Sequence, residues 1–264
     1  MCRMFSGLIL KDGVHLDWDD DSHERQIGKL KLKDDSDKPN FVRFEIIPQD
    51  GNIFNHVISN WVFRVDQDLI PEWFNAKNAE SLARKELKKF FKERFLIGIK
   101  DVQCAAGRWF LKNSSAVLRD SSRAELCNSS RAELWDSSRA ELWDSSSAVL
   151  RNSSRAELCN SSRAELWDSS RAELWDSSRV VLRNSSRAEL CNSSRVELWD
   201  SSSAVLRNSS SAVLWDSSSA ELWDSSNKYK INDNGICILR YNTNPQIIVA
   251  NKNIKLIVQK SEKK

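Results

Sequence analysis

Glycine and proline are scarce in this chain of 264 residues, 7 and 4 in all, and residues 112–223 contain neither. That excludes collagen-like, proline-rich and glycine-linker architectures for the middle of the protein. No apolar stretch reaches the roughly 18 residues of a membrane span, and the apolar run in the opening "MCRMFSGLILKDG" stops at Lys11 and Asp12, too short for a signal peptide. The expected location is therefore cytoplasmic, with no membrane partner. Neither sign of charge dominates: the net charge is +3, and residues 112–223 come to −2, from 14 basic against 16 acidic side chains. A solenoid that imitates nucleic acid needs a strongly acidic surface, which this balance excludes. Histidine is limited to His15, His23 and His56, without metal-ligand spacing among themselves or with Cys2. There is no nucleophile elbow, phosphate loop or paired-cysteine motif. The expectation is a non-enzymatic protein with no catalytic residues, no metal site and no cofactor.

What is present is a repeat. An eight-residue phrase, best represented by "DSSRAELW" at Asp136 to Trp143, recurs fourteen times between Lys112 and Trp223 without insertion. Counting slots 1 to 8 from the Asp or Asn, slot 3 is always Ser, and slot 5 is Ala except at Val180 and Val196. Slot 7 is always Leu: Leu118, Leu126, Leu134, Leu142, Leu150, Leu158, Leu166, Leu174, Leu182, Leu190, Leu198, Leu206, Leu214 and Leu222. A helix would rotate successive leucines by about 80°, so no apolar stripe could form. An extended strand sends slots 5 and 7 to one side and slots 4, 6 and 8 to the other. The leucines then form a core ladder, and the Asp/Asn-Ser-Ser phrase makes the corner, because Asx residues tolerate left-handed angles and short hydroxyl side chains bond nearby backbone. Such short units bury their apolar face only by stacking. The expected fold is mainly β, a C-terminal β-solenoid preceded by a small α/β domain.

Slot 8 sets the number of units per coil. It reads Arg119, Cys127, Trp135, Trp143, Arg151, Cys159, Trp167, Trp175, Arg183, Cys191, Trp199, a 32-residue period laid over the eight. Four units per coil would stack Arg119, Arg151 and Arg183 at strand spacing, and like charges would repel. Two units per coil instead alternates Arg119, Trp135, Arg151, Trp167, Arg183 and Trp199 on one face, with Trp215 continuing it. Each guanidinium then lies against an indole, worth about 0.5–1 kcal/mol when exposed. On the same face slot 6 alternates Val117, Glu133, Val149, Glu165, Val181 and Glu197, so glutamates do not stack on one another. The expectation is two octapeptides and sixteen residues per coil, about seven regular coils, with this Arg/Trp row as the candidate interaction face. Three units per coil is the competing count, and tandem duplication of a coding segment is a second account of the 32-residue period. With sixteen per coil, Cys127, Cys159 and Cys191 fall two coils apart, roughly 9.6 Å, beyond disulfide reach.

With the leucine and small-residue pair two positions apart, the array resembles pentapeptide-repeat proteins, and in its pairing of octapeptides it resembles ice-nucleation solenoids. The whole layout, including "VDQDLIPEWF" at Val65 to Phe74 and "NKNIKLIV" at Asn251 to Val258, is similar to uncharacterised bacterial and phage proteins with an N-terminal α/β domain and octapeptide repeats. The resemblance implies a β-solenoid and carries no known activity.

Around the array, residues 1–100 read as an α/β domain ending in a capping helix, 101–111 as a junction, 112–223 as the solenoid, 224–258 as a degenerate last coil with a C-terminal β cap, and 259–264 as a basic tail, including Lys260, Lys263 and Lys264. "MFSGLIL" and "VHLDW" suggest a hairpin, "HERQIGKLKL" a helix, and "FVRFEIIP" and "HVISNWVFRV" strands. A helix from Ala79 to Ile97 would bury Leu82, Leu87, Phe90, Phe91 and Phe95, with Asn78 and Gly98 as caps. Its Lys85, Lys88, Lys89 and Lys92 form a basic stripe, read as a solvated face diluted by Glu86 and Glu93. Asp17, Asp19, Asp20 and Asp21 read as a loop leading into a helix at Ser22 rather than a cation site. Residues Gln246 to Val258 pair over the last coil or between chains.

Three function classes follow. The first is a rigid scaffold or self-association module, a homo-oligomer formed through the solenoid face or the C-terminal cap. The second is a glycan- or nucleic-acid-binding module using exposed Trp and Arg ladders. The third, by resemblance, is ice binding, for which alternating Arg, Glu and Trp make a poor flat hydroxyl array.

Overall fold

The computed structural model describes residues 5–34, 39–55, 57–241, 246–251 and 254–260. Cys2, His56, Lys263 and Lys264 lie outside the described residues. The chain divides into two units, Met1–Phe95 and Leu96–Lys264.

The first unit carries an antiparallel sheet of four strands, β1 (Ser6–Leu10), β2 (Gly13–Leu16), β3 (Val42–Pro48) and β4 (Trp61–Val65), in the order β2-β1-β3-β4. The buried positions of β3 alternate, as a half-buried strand requires. Helix α1 (His23–Lys29) starts at Ser22, whose side chain accepts from the Arg25 N–H, and ends sooner than its sequence suggests, at Leu30, followed by a left-handed Lys31. Helix α2 (Ala76–Arg94) begins one turn earlier than the sequence indicates, because Asn75 rather than Asn78 caps it: the Asn75 side chain accepts from the Asn78 N–H. It buries Ala79, Ala83, Leu87 and Phe90 and leaves Leu82 exposed. Gly98 does not cap it. The helix stops at Arg94 and the chain turns straight into a strand, Phe95–Ile97.

The second unit is a β-solenoid of about nine turns. Parallel strands alternate between two sheets, and every regular residue pairs with the one sixteen positions on: Leu126 with Leu142, Leu134 with Leu150, Leu142 with Leu158. Two octapeptides per coil is therefore the count, and three is ruled out. The unit has more turns than the seven regular coils of the array because flanking segments without the repeat also coil. Val102–Cys104 pairs with Ser115–Leu118 and Arg108–Lys112 with Arg123–Cys127, so the stretch read as a junction is built of coil strands. The offset there is 14 residues (Val102 to Ala116) and then 15 (Trp109 to Ala124), and it becomes 17 after the array (Ala212 to Tyr229, Ala220 to Cys237). Those changes of offset hide the outer coils from a search for period eight. At the end Gln246–Asn251 adds antiparallel to Ile236–Leu239, and Ile254–Lys260 adds antiparallel to that, so one sheet closes in a hairpin.

The core is two stacked columns. All fourteen slot-7 leucines are 0–1% exposed, with the slot-5 Ala or Val beside them. Within the array identical residues in register pack leucine on leucine, and at its ends Leu118 meets Cys104 and Leu214 meets Ile231.

The corners explain slots 1 to 3. The slot-3 N–H donates to the slot-8 carbonyl, as from Ser138 to Trp135 at 3.1 Å, and closes a turn around slots 1 and 2. Slot 1 is left-handed throughout Asp120 to Asp216, and in many coils slot 2 is as well, for example Ser137 at φ 67. Two successive positive φ values belong to a type I′ turn, which usually recruits glycine; a serine there costs roughly 1–2 kcal/mol. The slot-2 N–H then donates forward to the next coil, Ser137 to the Asn152 carbonyl at 3.2 Å. Where slot 2 is not left-handed the bond runs backward instead, as from Ser201 to the Asn184 carbonyl at 3.0 Å. At these corners the backbone is paired between coils, and side chains add a ladder, Asn152 Nδ2 donating to Asp136 Oδ1 at 3.2 Å. Slot 3 is buried. Its hydroxyl donates to the carbonyl three residues back in several coils, Ser154 to Arg151 at 2.7 Å, whereas the Ser146 hydroxyl finds no partner.

Two stability predictions follow from core and corner. Leu158→Ala should cost about 2–5 kcal/mol, because neither neighbouring leucine can move off its own coil to fill the space. Ser154→Ala should cost about 1 kcal/mol, while Ser146→Ala should be neutral or stabilising, since it removes a buried hydroxyl with nothing to bond. Urea unfolding followed by tryptophan fluorescence reads both; equal losses at Ser154 and Ser146 would contradict the hydrogen-bond account.

Candidate interaction faces

The outward surfaces of the two sheets differ in what slots 4, 6 and 8 present. On the sheet through Ser115–Leu118 and Arg131–Leu134, here the arginine face, slot 8 stacks as a continuous column. The Arg119 guanidinium lies 5.6 Å from the Trp135 ring centre, and Arg151 sits between two indoles, 5.1 Å from Trp135 and 5.4 Å from Trp167. Arg183 repeats this between Trp167 at 5.0 Å and Trp199 at 5.7 Å. At the end of the column no arginine separates Trp199 from Trp215, which stack directly, ring centres 4.9 Å apart and planes 7° from parallel.

The sandwiched arginines also carry a diagonal charge pair that the sequence reading missed. Arg183 Nε donates to Glu165 Oε1 at 3.1 Å, and Arg151 Nε lies 3.5 Å from Glu133 Oε1. The partner is slot 6 of the preceding coil, eighteen residues back, a separation that becomes visible only once the coil length is known. Trp135, Trp167 and Trp199 are consequently half-buried, with indole N–H groups that have no acceptor. They are not the exposed stacking platforms that the binding-module reading assumes: their faces are already covered by arginine.

The exposed tryptophans lie on the other sheet, here the cysteine face, whose slot 8 runs Cys127, Trp143, Cys159, Trp175, Cys191, Arg207, Trp223. Trp143 is 40% exposed, Trp175 41% and Trp223 44%. Small thiols between large indoles leave the rings uncovered. Only at the end does an arginine intervene, with Arg207 5.1 Å from the Trp223 ring. On this face Arg139, Arg155 and Arg171 stack in register at slot 4, and Glu141, Glu157 and Glu173 at slot 6. Like charges one strand apart repel, and none of these six forms an ion pair among the described residues. The Glu141 carboxyl is accordingly held above its ordinary range, by desolvation first and then by the Glu125 charge.

Thiol chemistry is suppressed along this column. Desolvation pushes Cys127 up to about 11 and raises Cys159 and Cys191 as well; in the last coil it pushes Cys237 up to about 12. The thiolate is the nucleophile, so these are structural thiols, and no disulfide joins the five described cysteines.

In the first unit the acidic stretch is tied into its own loop and helix. Asp17 accepts from the Asp19 N–H, Asp20 accepts from the Ser22 N–H, and Lys29 and Arg25 pair with these carboxylates. His23 is buried with Nε2 3.1 Å from the Phe44 carbonyl oxygen, and His15 Nε2 lies 3.0 Å from Asp12 Oδ1. Lys85, Lys88, Lys89 and Lys92 are exposed on α2, with Lys89 paired to Glu86. Among the described residues no group of three His, Cys, Asp or Glu is placed to hold a metal ion, and no helix is long and apolar enough to cross a membrane.

No family model, no curated protein and no solved structure matches the chain.

The raised thiol values set an expected outcome. Because protonation persists to higher pH in the fold, iodoacetamide at pH 8 should label Cys127 at least tenfold more slowly in the native protein than in the urea-unfolded chain, as read by peptide mass spectrometry. Equal rates would contradict the burial of its sulfur.

Proposed function

We propose that the chain is a non-enzymatic scaffold: a rigid β-solenoid that associates with itself or a partner protein through its decorated faces. The observation that carries this reading is the unbroken sixteen-residue register, which holds the outward side chains of every second unit at one strand spacing in straight columns. A surface of that regularity suits another repeating surface. Likeness to octapeptide and pentapeptide solenoids supports it, as does the absorption of the obvious polar clusters of the first unit into local structure. A cytoplasmic location belongs to the same proposal, supported by cysteines spaced beyond disulfide reach.

The second reading, a glycan- or nucleic-acid-binding module, is favoured by one observation, the exposure of Trp143, Trp175 and Trp223. Near-neutral charge along the array weakens its nucleic-acid form, since backbone contacts there are mainly electrostatic.

Light scattering of the full protein, beside a chain ending before Gln246, tests the first reading. A defined dimer or larger species that persists on dilution is expected; a strict monomer in both sinks self-association. For the second reading, Trp143→Ser with Trp175→Ser should abolish retention on glycan or single-stranded nucleic-acid arrays. Binding that survives the double change would remove the tryptophans from it.

A further inference from the structure

The arginine face contains the design of a site that the cysteine face leaves open. Between Trp135 and Trp167, two coils apart, Arg151 fills the space with a guanidinium in contact with both rings, and Glu133 of the preceding coil lies at its Nε. Between Trp167 and Trp199 the same parts recur as Arg183 and Glu165. On the opposite sheet Trp143 and Trp175 are also two coils apart, a separation of roughly 9.6 Å. Slot 6 of the coil before is Glu141, in the position that Glu133 and Glu165 occupy. The residue between the two indoles is Cys159, far too short to fill the gap. Two aromatic walls and a carboxylate are thus present, and the planar cation is missing.

The same face offers the missing cation in a second copy. Its slot-4 arginines, Arg139, Arg155 and Arg171, are exposed, stacked in register on one another, and among the described residues form no ion pair. Suppose two such faces meet about a two-fold axis parallel to the stacking direction. Strand direction is then reversed across the interface while coil order is kept, so slot 4 of each coil lies opposite slot 8 of the same coil in its partner. The column Arg139, Arg155, Arg171 faces the column Trp143, Cys159, Trp175. A two-fold axis along the strands would instead set arginine against arginine and glutamate against glutamate, with no opposite charge across the interface, whereas about the first axis the facing glutamate columns lie between the arginine columns of the two copies. Contact about the first axis is isologous, each copy giving and receiving the same groups.

We infer that the cysteine face is a homodimer interface in which Arg155 of each copy enters the slot over Cys159 of the other, between Trp143 and Trp175 and against Glu141. The proposal rests on the self-association reading above and specifies its face, its axis and its central contact. It accounts for both unpaired columns at once: the stacked arginines gain indoles and carboxylates, and the stacked glutamates gain guanidinium groups, as Glu165 does from Arg183 within one chain. Desolvated cation–aromatic contacts of this kind reach about 2 kcal/mol each, and centrally placed tryptophan and arginine are the residues that most often dominate an interface.

The decisive variant is Cys159→Arg. It supplies the cation from within the chain, copying Arg151, so the slot is filled before a partner arrives. Light scattering and sedimentation of the full chain should show a dimer for the unchanged protein and at least a tenfold weaker one for Cys159→Arg, with thermal stability kept or raised. A dimer unchanged by Cys159→Arg overturns the slot while leaving self-association by another face standing. A monomeric unchanged protein overturns both. Should Cys159→Arg fail to fold, Arg155→Ser removes the donated group instead, and serine already fills slot 4 at Ser147 and Ser203. It too should weaken the dimer at least tenfold, and an unaltered dissociation constant would refute the proposal.

Discussion

Pairing of each residue with the one sixteen positions away is the constraint on which the solenoid depends. It satisfies the strand backbone through neighbouring coils, so no coil completes its hydrogen bonds alone. It also forces like to lie on like: leucine on leucine, corner on corner, slot-3 serine on slot-3 serine. A position that tolerates self-stacking becomes invariant within the array, and a position that does not must vary with the coil. Leucine at slot 7 is the first kind. Slot 8 is the second: the observed column interleaves arginines with indoles, whereas slot 4 of the cysteine face keeps arginine on arginine at the solvent-exposed edge of the strand.

Both faces therefore stem from one backbone and differ in how completely their columns are neutralised. On the arginine face, cation, ring and diagonal carboxylate complete one another within the chain, and the tryptophans are half-buried as a result. On the cysteine face the same rings stand clear, and the charges beside them run in unmixed columns. Both faces carry stacked slot-4 arginines, Arg163, Arg179 and Arg195 on the arginine face, and the contrast from which a functional reading can be drawn lies at slot 8, filled within the chain on one side and open on the other.

Much of this architecture can be read from the residues. Invariant Leu and small residues two apart demand a strand, and the Arg-to-Trp alternation selects two units per coil. Other features escape because their cause is not local in sequence. The pairing of Arg183 with Glu165 joins residues eighteen apart, a distance without meaning until the coil length is known. The coils before Lys112 lack the repeat altogether, and offsets of 14 and 15 residues place their strands in register. Capping of α2 by Asn75 in place of Asn78 turns on which of two asparagines three residues apart takes the extended conformation, and both offer the same side chain. Exposure along slot 8 also inverts a simple expectation: Trp135 and Trp167, with arginine in both neighbouring coils, are half-buried, and Trp143 and Trp175, with cysteine in both, are open.

A coil made of two identical-length units has a parity. Gain or loss of two units leaves every later side chain on its original sheet, whereas gain or loss of one transfers all of them to the opposite sheet with the core undisturbed. Slot 8 contains such an odd step. The order Arg, Cys, Trp, Trp holds through Trp199, after which Arg207 stands where the second Trp is due and Trp215 where a Cys would follow. From that point arginine lies on the cysteine face, against Trp223, and two tryptophans meet on the arginine face. The leucine columns run through the step without interruption, so the fold is indifferent to unit number while the identity of each face is set by whether that number is odd or even.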